Sequence, residues 1–340
     1  MLLAKVPRER AEQVRKALFR HRLGVKDRRI IRQRDHVLIP LRAAPHPMIV
    51  AELGIELTEG DPLEKSCHRP PFDLVAEAAD LPPGVRALLP RHWEMLGDVL
   101  LLRLPDGLME HRHEVARAYA SVLGARTVLL DRVRIEGVFR TPDMEVLLGD
   151  SAETVHLENG ILYKLDASRL MFSSGNVDEK MRMARLDCQG ETVVDMFAGI
   201  GYFTLPLALH ARASRVIACE INPLAFRYLQ ENVRLNDLEG VVEPVLGDNR
   251  DLPGEGIADR VVMGYVRTTS EHLDTAIRLV RKGGVIHYQD TFPLEIFPRQ
   301  ALENLSRAAG DRGYEVTLMR EVKSYSPGVS HMVVDVTMLD

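Results

Sequence analysis

The chain has 340 residues, 46% apolar and 27% charged, which suits a globular protein of two or three domains and leaves no run long enough to span a membrane. Three scattered cysteines, Cys67, Cys188 and Cys219, form no CxxC pair, so neither a disulfide framework nor a zinc site is expected, and a metal-free cytoplasmic protein is. The net charge of −5 is uneven: Met1 to Arg42 holds thirteen Lys or Arg against four acids, +9 there and −14 on the rest, which leaves a polyanion partner and a merely solvated basic face both open.

Residues 1–65 read as a small α+β module. A strand, Leu2 to Val6, precedes a helix in which Val14, Ala17, Leu18 and His21 share one side, and a second strand runs from His36 to Leu41. Pro, Gly and charge punctuate Ala43 to Pro47 and Glu59 to Phe72, which sets a boundary near residue 65. A middle α+β region, residues 66–166, holds a strand (Val99 to Leu104), a helix (Glu110 to Leu123), a second strand (Thr127 to Leu130) and hairpin pieces around His156 to Lys164. His111 and His113 are not a metal pair, because i, i+2 spacing puts them on different helix faces.

Residues 167–340 change to alternation. Thr192 to Met196, Arg215 to Cys219, Val241 to Leu246, Asp259 to Met263 and Val285 to Gln289 are short apolar runs of strand type. Helical stretches separate them: Tyr202 to His210, Pro223 to Asn232, Ser270 to Arg281 and Leu294 to Ala309. The pattern is that of an α/β, doubly wound parallel sheet, whose ligands sit at the carboxyl ends of the strands. Two closing strands, Tyr314 to Glu321 and His331 to Met338, are joined by the loop Ser324 to Ser330 and must be antiparallel, since a parallel pair needs a crossover.

The stretch VVDMFAGIGYFTLPLA, Val193 to Ala208, carries the candidate binding chemistry. A strand ends in Asp195, and Gly199 and Gly201 then turn into a helix, where a Cβ would block both the turn and a ligand's approach. The third glycine of the dinucleotide fingerprint is absent, and an acid precedes the turn. S-adenosylmethionine has no pyrophosphate but carries an ammonium that needs an oxygen partner. Glu220 closes the second strand, where a carboxylate can accept both ribose hydroxyls. Asp248 and Asn249 follow the third, placed to meet an adenine; Phe197 in the turn completes this set. Any one acid could be a surface turn residue, but polar groups at three successive strand ends beside a glycine turn point to S-adenosylmethionine.

The runs FSSGNVDEKMRM (Phe172 to Met183), VVDMFAGIGYFTLPLA, ACEINP (Ala218 to Pro223) and GDNR (Gly247 to Arg250) together resemble the wybutosine-pathway tRNA aminocarboxypropyltransferases, sisters of the tRNA guanine N1-methyltransferases acting at position 37. The resemblance covers roughly Ala118 to Asp340 and implies a class I methyltransferase-type, Rossmann-like sheet; the basic module is similar to the sisters' tRNA-docking domain. In the methyltransferases the fourth strand ends in Asn-Leu-Pro and the upstream run is FSPR-like. Here Gly264-Tyr265-Val266 and Phe172-Ser173-Ser174-Gly175-Asn176 stand in those places. The resemblance therefore implies transfer of the 3-amino-3-carboxypropyl group to carbon-7 of 4-demethylwyosine at position 37 of tRNA-Phe, with methylthioadenosine leaving. It also implies that Ser173 and Lys180 contact the donor's amino acid end; without it they read as an N-cap serine and a solvated helix lysine.

Catalysis of that kind is positioning, and no acid or base stands out. Tyr265 is a candidate for stacking on the target base, as are Tyr202 and Phe203, which suit core packing equally. Arg169, Arg182 and Arg185 read either as phosphate contacts or as surface charge. Two rival functions stay open: a position-37 tRNA methyltransferase, on guanine N1 or a wyosine intermediate, and an inactive tRNA-binding protein.

Overall fold

In the N-terminal 70 residues alternation builds a four-stranded antiparallel sheet. Strand Leu2–Pro7 lies between His36–Pro40 and Glu56–Glu59, and Ile31–Arg32 is an outer strand beside His36–Pro40. Ala4 and Val6 face helix Ala11–Arg20, which buries Val14 and Leu18 against them, while Lys5 on the opposite face pairs with Glu56 at 2.8 Å. Ala17 is only half-buried and His21 is exposed at the helix C-cap, so the buried stripe is narrower than its periodicity implied. The helix Pro47–Leu53 and strand Glu56–Glu59 lie between the two punctuated stretches, where the sequence had suggested no element.

This computed structural model describes residues 1–63, 69–136, 141–266 and 268–339; Cys67, Arg267 and the expected boundary at residue 65 lie outside them. Two compact units result, Met1–Pro70 and Pro71–Asp340. Among the described residues no helix is long and apolar enough to cross a membrane.

The second unit opens with a sheet in which Glu94–Leu96, Val99–Leu102, Thr127–Glu136 and Thr141–Leu148 lie in that order. The middle pair is parallel, as its crossover helix Arg112–Leu123 requires. Next comes the hairpin Glu153–Glu158 and Ile161–Asp166. Asn159 (φ 53°) and Gly160 (φ 78°) form its turn, the pair of positive φ values that matches the strands' twist. Asn232 and Asn236 grip the hairpin's outer edge, bonding both backbone groups of Lys164 and of Leu162.

The main sheet consists of β1 (Thr192–Asp195), β2 (Arg215–Glu220), β3 (Val242–Leu246), β4 (Ala258–Met263), β5 (Val280–Pro293), β6 (Tyr314–Ser326) and β7 (Val329–Met338). Their spatial order is β3-β2-β1-β4-β5-β7-β6, parallel except for β7, which pairs antiparallel with both neighbours. β6 and β7 extend into the expected loop until only Pro327 and Gly328 join them, Gly328 at φ 74°. Helices α1 (Val177–Ala184), α2 (Thr204–Leu209), α3 (Pro223–Leu235), α4 (Leu273–Leu279) and α5 (Arg299–Ala309) pack on the two faces.

Candidate active site

The carboxyl ends of β1, β2 and β3 meet around the glycine turn. Asp195, fully buried, closes β1: one carboxyl oxygen accepts from the Phe197 N–H at 3.2 Å and the other from the Thr204 hydroxyl at 2.7 Å. Burial raises its pKa to about 6. Gly199 and Gly201 take φ of 58° and 107°, in the left-handed region that favours glycine; a Cβ on Gly201 would stand 2.7 Å from Leu205. Glu220 reaches back from the end of β2: Oε2 accepts from the Gly199 N–H and Oε1 from the Asn222 N–H, each at 2.7 Å. Asn222 itself caps α3 through its bond from the Leu224 N–H, so ACEINP is a strand end, a carboxylate and a helix cap in succession. Burial pushes the Glu220 carboxyl up.

Beyond β3 the two expected contacts diverge. Asp248 is held in a bidentate pair by Arg250, which lowers its pKa to about 2. Asn249 turns inward instead of standing open: its Nδ2 donates to the Met196 carbonyl at 3.1 Å and its Oδ1 faces His272 Nδ1 at 2.8 Å. That fixes the imidazole proton on Nδ1. The His272 ring packs edge-on against Phe197 at 5.0 Å, and Tyr265 stacks on Phe197 with centroids 5.2 Å apart and an interplanar angle of 17°. Tyr265 and Phe197, both half-buried, are thus brought together. Tyr202 and Phe203 belong to the core, Tyr202 packed against Phe172 and Phe203 against Gly264.

The run Phe172 to Met183 wraps the other side of the turn. Ser173 stands at the N-cap of a 3-10 turn but makes no side-chain capping bond. Lys180 is not a solvated helix lysine: its side chain is 1% exposed, its Nζ lies 2.5 Å from Glu158 Oε1, and the rings of Phe172, Tyr202 and Tyr163 stand 4.5, 5.8 and 5.9 Å away. Arg182, read as a phosphate or surface residue, is drawn inward. It pairs with Glu179 and Asp335, and the chain continues through His287 and Arg260 to Glu191. This buried relay fastens α1 to β4, β5 and β7. Glu158 and His272 escaped the sequence reading, because each meets its partner only across elements far apart in the chain.

The strand order, with its antiparallel seventh strand and a glycine turn between an acid-ended first and an acid-ended second strand, is the class I methyltransferase-type, Rossmann-like fold. Residues 154–317 match the TRM5/TYW2 methyltransferase domain, residues 76–152 the TYW2 N-terminal domain and residues 5–49 the tRNA methyltransferase 5 N-terminal domain. The chain is 46% identical over 258 residues to the tRNA(Phe) (4-demethylwyosine(37)-C(7)) aminocarboxypropyltransferase of Pyrococcus horikoshii, covering 75% of this chain and 92% of that one. It is 34% identical to the tRNA (guanine(37)-N(1))-methyltransferase Trm5b of Pyrococcus abyssi, over 98% of each. The solved structure of P. horikoshii TYW2 in complex with MeSAdo aligns with a TM-score of 0.72 and 41% identity, over 78% of this chain and 98% of that one. The complex of aTrm5 and tRNALeu aligns at 0.69 and 26%, over 99% of each. The chain belongs to the TRM5/TYW2 family.

Proposed function

We propose that this protein transfers the 3-amino-3-carboxypropyl group of S-adenosylmethionine to carbon-7 of 4-demethylwyosine at position 37 of tRNA-Phe, in the cytoplasm. The carbon nucleophile attacks the γ-methylene, the carbon–sulfur bond breaks with its electrons going to sulfur, methylthioadenosine leaves and the base loses its C7 proton. The observation that carries this reading is the end of β4: Gly264 lies under the Phe203 ring, followed by Tyr265 and Val266, where the methyltransferase motif would have Asn-Leu-Pro. The greater likeness to the P. horikoshii aminocarboxypropyltransferase supports it.

In this reading Glu220 meets the ribose hydroxyls, Asp248 meets the adenine with Asn249 bracing the loop, and Phe197 and the glycine turn shape the nucleoside pocket. Asp195 holds the turn, while Ser173 and Lys180 serve the amino acid end. Residues 1–65 dock tRNA, residues 66–166 form the middle domain and residues 167–340 hold the donor. The test uses S-adenosylmethionine labelled either in the carboxyl carbon or in the methyl group, with tRNA-Phe carrying 4-demethylwyosine. Carboxyl label should enter the tRNA and methyl label should not.

A second reading, methylation of guanine N1 at position 37, is favoured by the full-length match to Trm5b, which takes in the N-terminal module. Methyl label entering tRNA would favour it over the first.

A further inference from the structure

His287 lies on β5, 1% exposed, with a partner at each ring nitrogen. Nε2 stands 2.8 Å from Arg260 Nη1 on β4, and Nδ1 stands 2.7 Å from Asp335 Oδ1 on β7. A guanidinium only donates and an ionised carboxylate only accepts, so these two partners fix the ring's protons. Nε2 carries the lone pair and Nδ1 the hydrogen, which is the neutral imidazole.

The charged groups around the ring balance without it. Arg260 holds Glu191 by two bonds, at 2.8 and 2.9 Å. Arg182 on α1 donates to Asp335 Oδ2 at 2.6 Å and to both oxygens of Glu179, and its Nη2 lies 3.5 Å from the ring's Nδ1. Arg320 on β6 stands 3.7 Å from Glu179. Three guanidinium groups thus face three carboxylates, with the Gln289 amide on Glu179 and the Cys188 thiol on Arg260 as neutral neighbours. Burial holds the imidazole below its ordinary range, helped by Arg260 and Arg182 and opposed by Asp335. A second proton on the ring has no acceptor: it would set Nε2–H against the Arg260 N–H and add an unbalanced cation to a buried cluster. Arg260 has to give way, and Asp335 then divides its charge between the imidazolium and Arg182. The hold on α1 weakens, and α1 packs against α2, whose Thr204 hydroxyl bonds Asp195 beside the glycine turn.

We propose that His287 is a positioning residue for donor binding: its neutral Nδ1–H tautomer locks α1 to β4 and β7, and its protonation releases that lock, so that S-adenosylmethionine and a proton compete for the protein. The inference rests on the donor reading above. His287 acts through Arg260 on one side and through Asp335 and Arg182 on the other. Coupling of this kind is reciprocal: a proton that weakens donor binding is itself bound less well once the donor is in place.

The test uses the full chain with its twelve histidines labelled in the ring nitrogens, His287 being assigned by the signal missing from His287→Gln or, should that variant not fold, from His287→Asn. Nitrogen resonances of the unaltered chain should show a protonated Nδ1 and a bare Nε2 at neutral pH, with a midpoint that moves to lower pH when S-adenosylmethionine saturates the protein. Calorimetry then follows S-adenosylmethionine affinity from neutral pH into acid for the unaltered chain and for the folded variant, whose amide takes up no proton. The variant's affinity relative to the unaltered chain should rise as pH falls, approaching about tenfold per pH unit below the midpoint, the limit for one linked proton. A merely structural histidine would leave that ratio flat. An Nε2–H tautomer, a midpoint that the donor does not move, or a flat ratio overturns the lock. Absence of S-adenosylmethionine binding by either chain at every pH overturns the donor reading and the coupling with it, whereas binding with parallel profiles overturns the lock alone.

Discussion

The ring of Phe203 occupies the space into which any side chain on residue 264 would grow: a Cβ on Gly264 would lie 2.5 Å from its Cε2 and 2.7 Å from its Cδ2. Phe203 is 4% exposed and packed into the core, so it has little room to yield. Gly264→Asn should therefore destabilise the protein by about 1–3 kcal/mol, the usual range for overpacking, and Phe203→Ala in the same chain should relieve part of that strain. Denaturant melts of the single and double variants measure it. Strictly additive losses would show that the ring and residue 264 do not compete.

Glu220 fastens the glycine turn from below and is the carboxylate expected to meet the ribose. Glu220→Ala should weaken S-adenosylmethionine by roughly 1.5–3 kcal/mol, the range for hydrogen bonds to a charged group. Titration calorimetry on a folded variant decides the matter, and unchanged affinity would reduce Glu220 to a brace for Gly199.

Asp195 carries a pH signature. Its folded pKa of about 6 lies above the ordinary carboxylate value of 3.8, so the protonated form is favoured in the fold. Stability linked to this group is full below about pH 4 and is lost as pH rises through about 6, on the order of 3 kcal/mol in all. Asp195→Asn cannot ionise, so the difference in unfolding free energy between the variant and the unaltered chain should shift by that amount between pH 4 and pH 7. A flat difference would refute the raised pKa.

Arg182 sits between Glu179 and Asp335, both buried. Arg182→Met would leave two carboxylates without their shared cation, and the expected loss of stability is about 3–5 kcal/mol. Thermal melts would expose a simple surface arginine, which would show less than a tenth of that loss.

Removing Met1 to Pro70 deletes a unit with its own sheet and core together with the strongly basic stretch. The remaining chain should bind tRNA more weakly and with a flatter dependence on salt, because fewer phosphates are neutralised. Its affinity for S-adenosylmethionine should hold, since every proposed donor contact lies beyond residue 90. Binding across a salt series tests this, and identical slopes for both chains would leave the N-terminal arginines as a solvated face.

Local patterns in the sequence were enough to determine the alternation of the second half, the glycine turn between Asp195 and Thr204, and the antiparallel end. Each follows from side-chain periodicity or from the backbone freedom that only glycine has, and those are properties of neighbours in the chain. The roles of Lys180, Arg182 and Asn249 were decided by tertiary structure alone. On a helix read by itself, Lys180 and Arg182 are solvated charges. They turn inward because α1 is wedged between the hairpin that carries Glu158 and the sheet that carries His287 and Asp335. Asn249 looks like an open strand-end amide until β4 and the turn after it bring His272 to its oxygen, 23 residues further along. A buried charge or amide is settled by which partner satisfies it, and here each partner lies on another element, where short-range spacing carries no information.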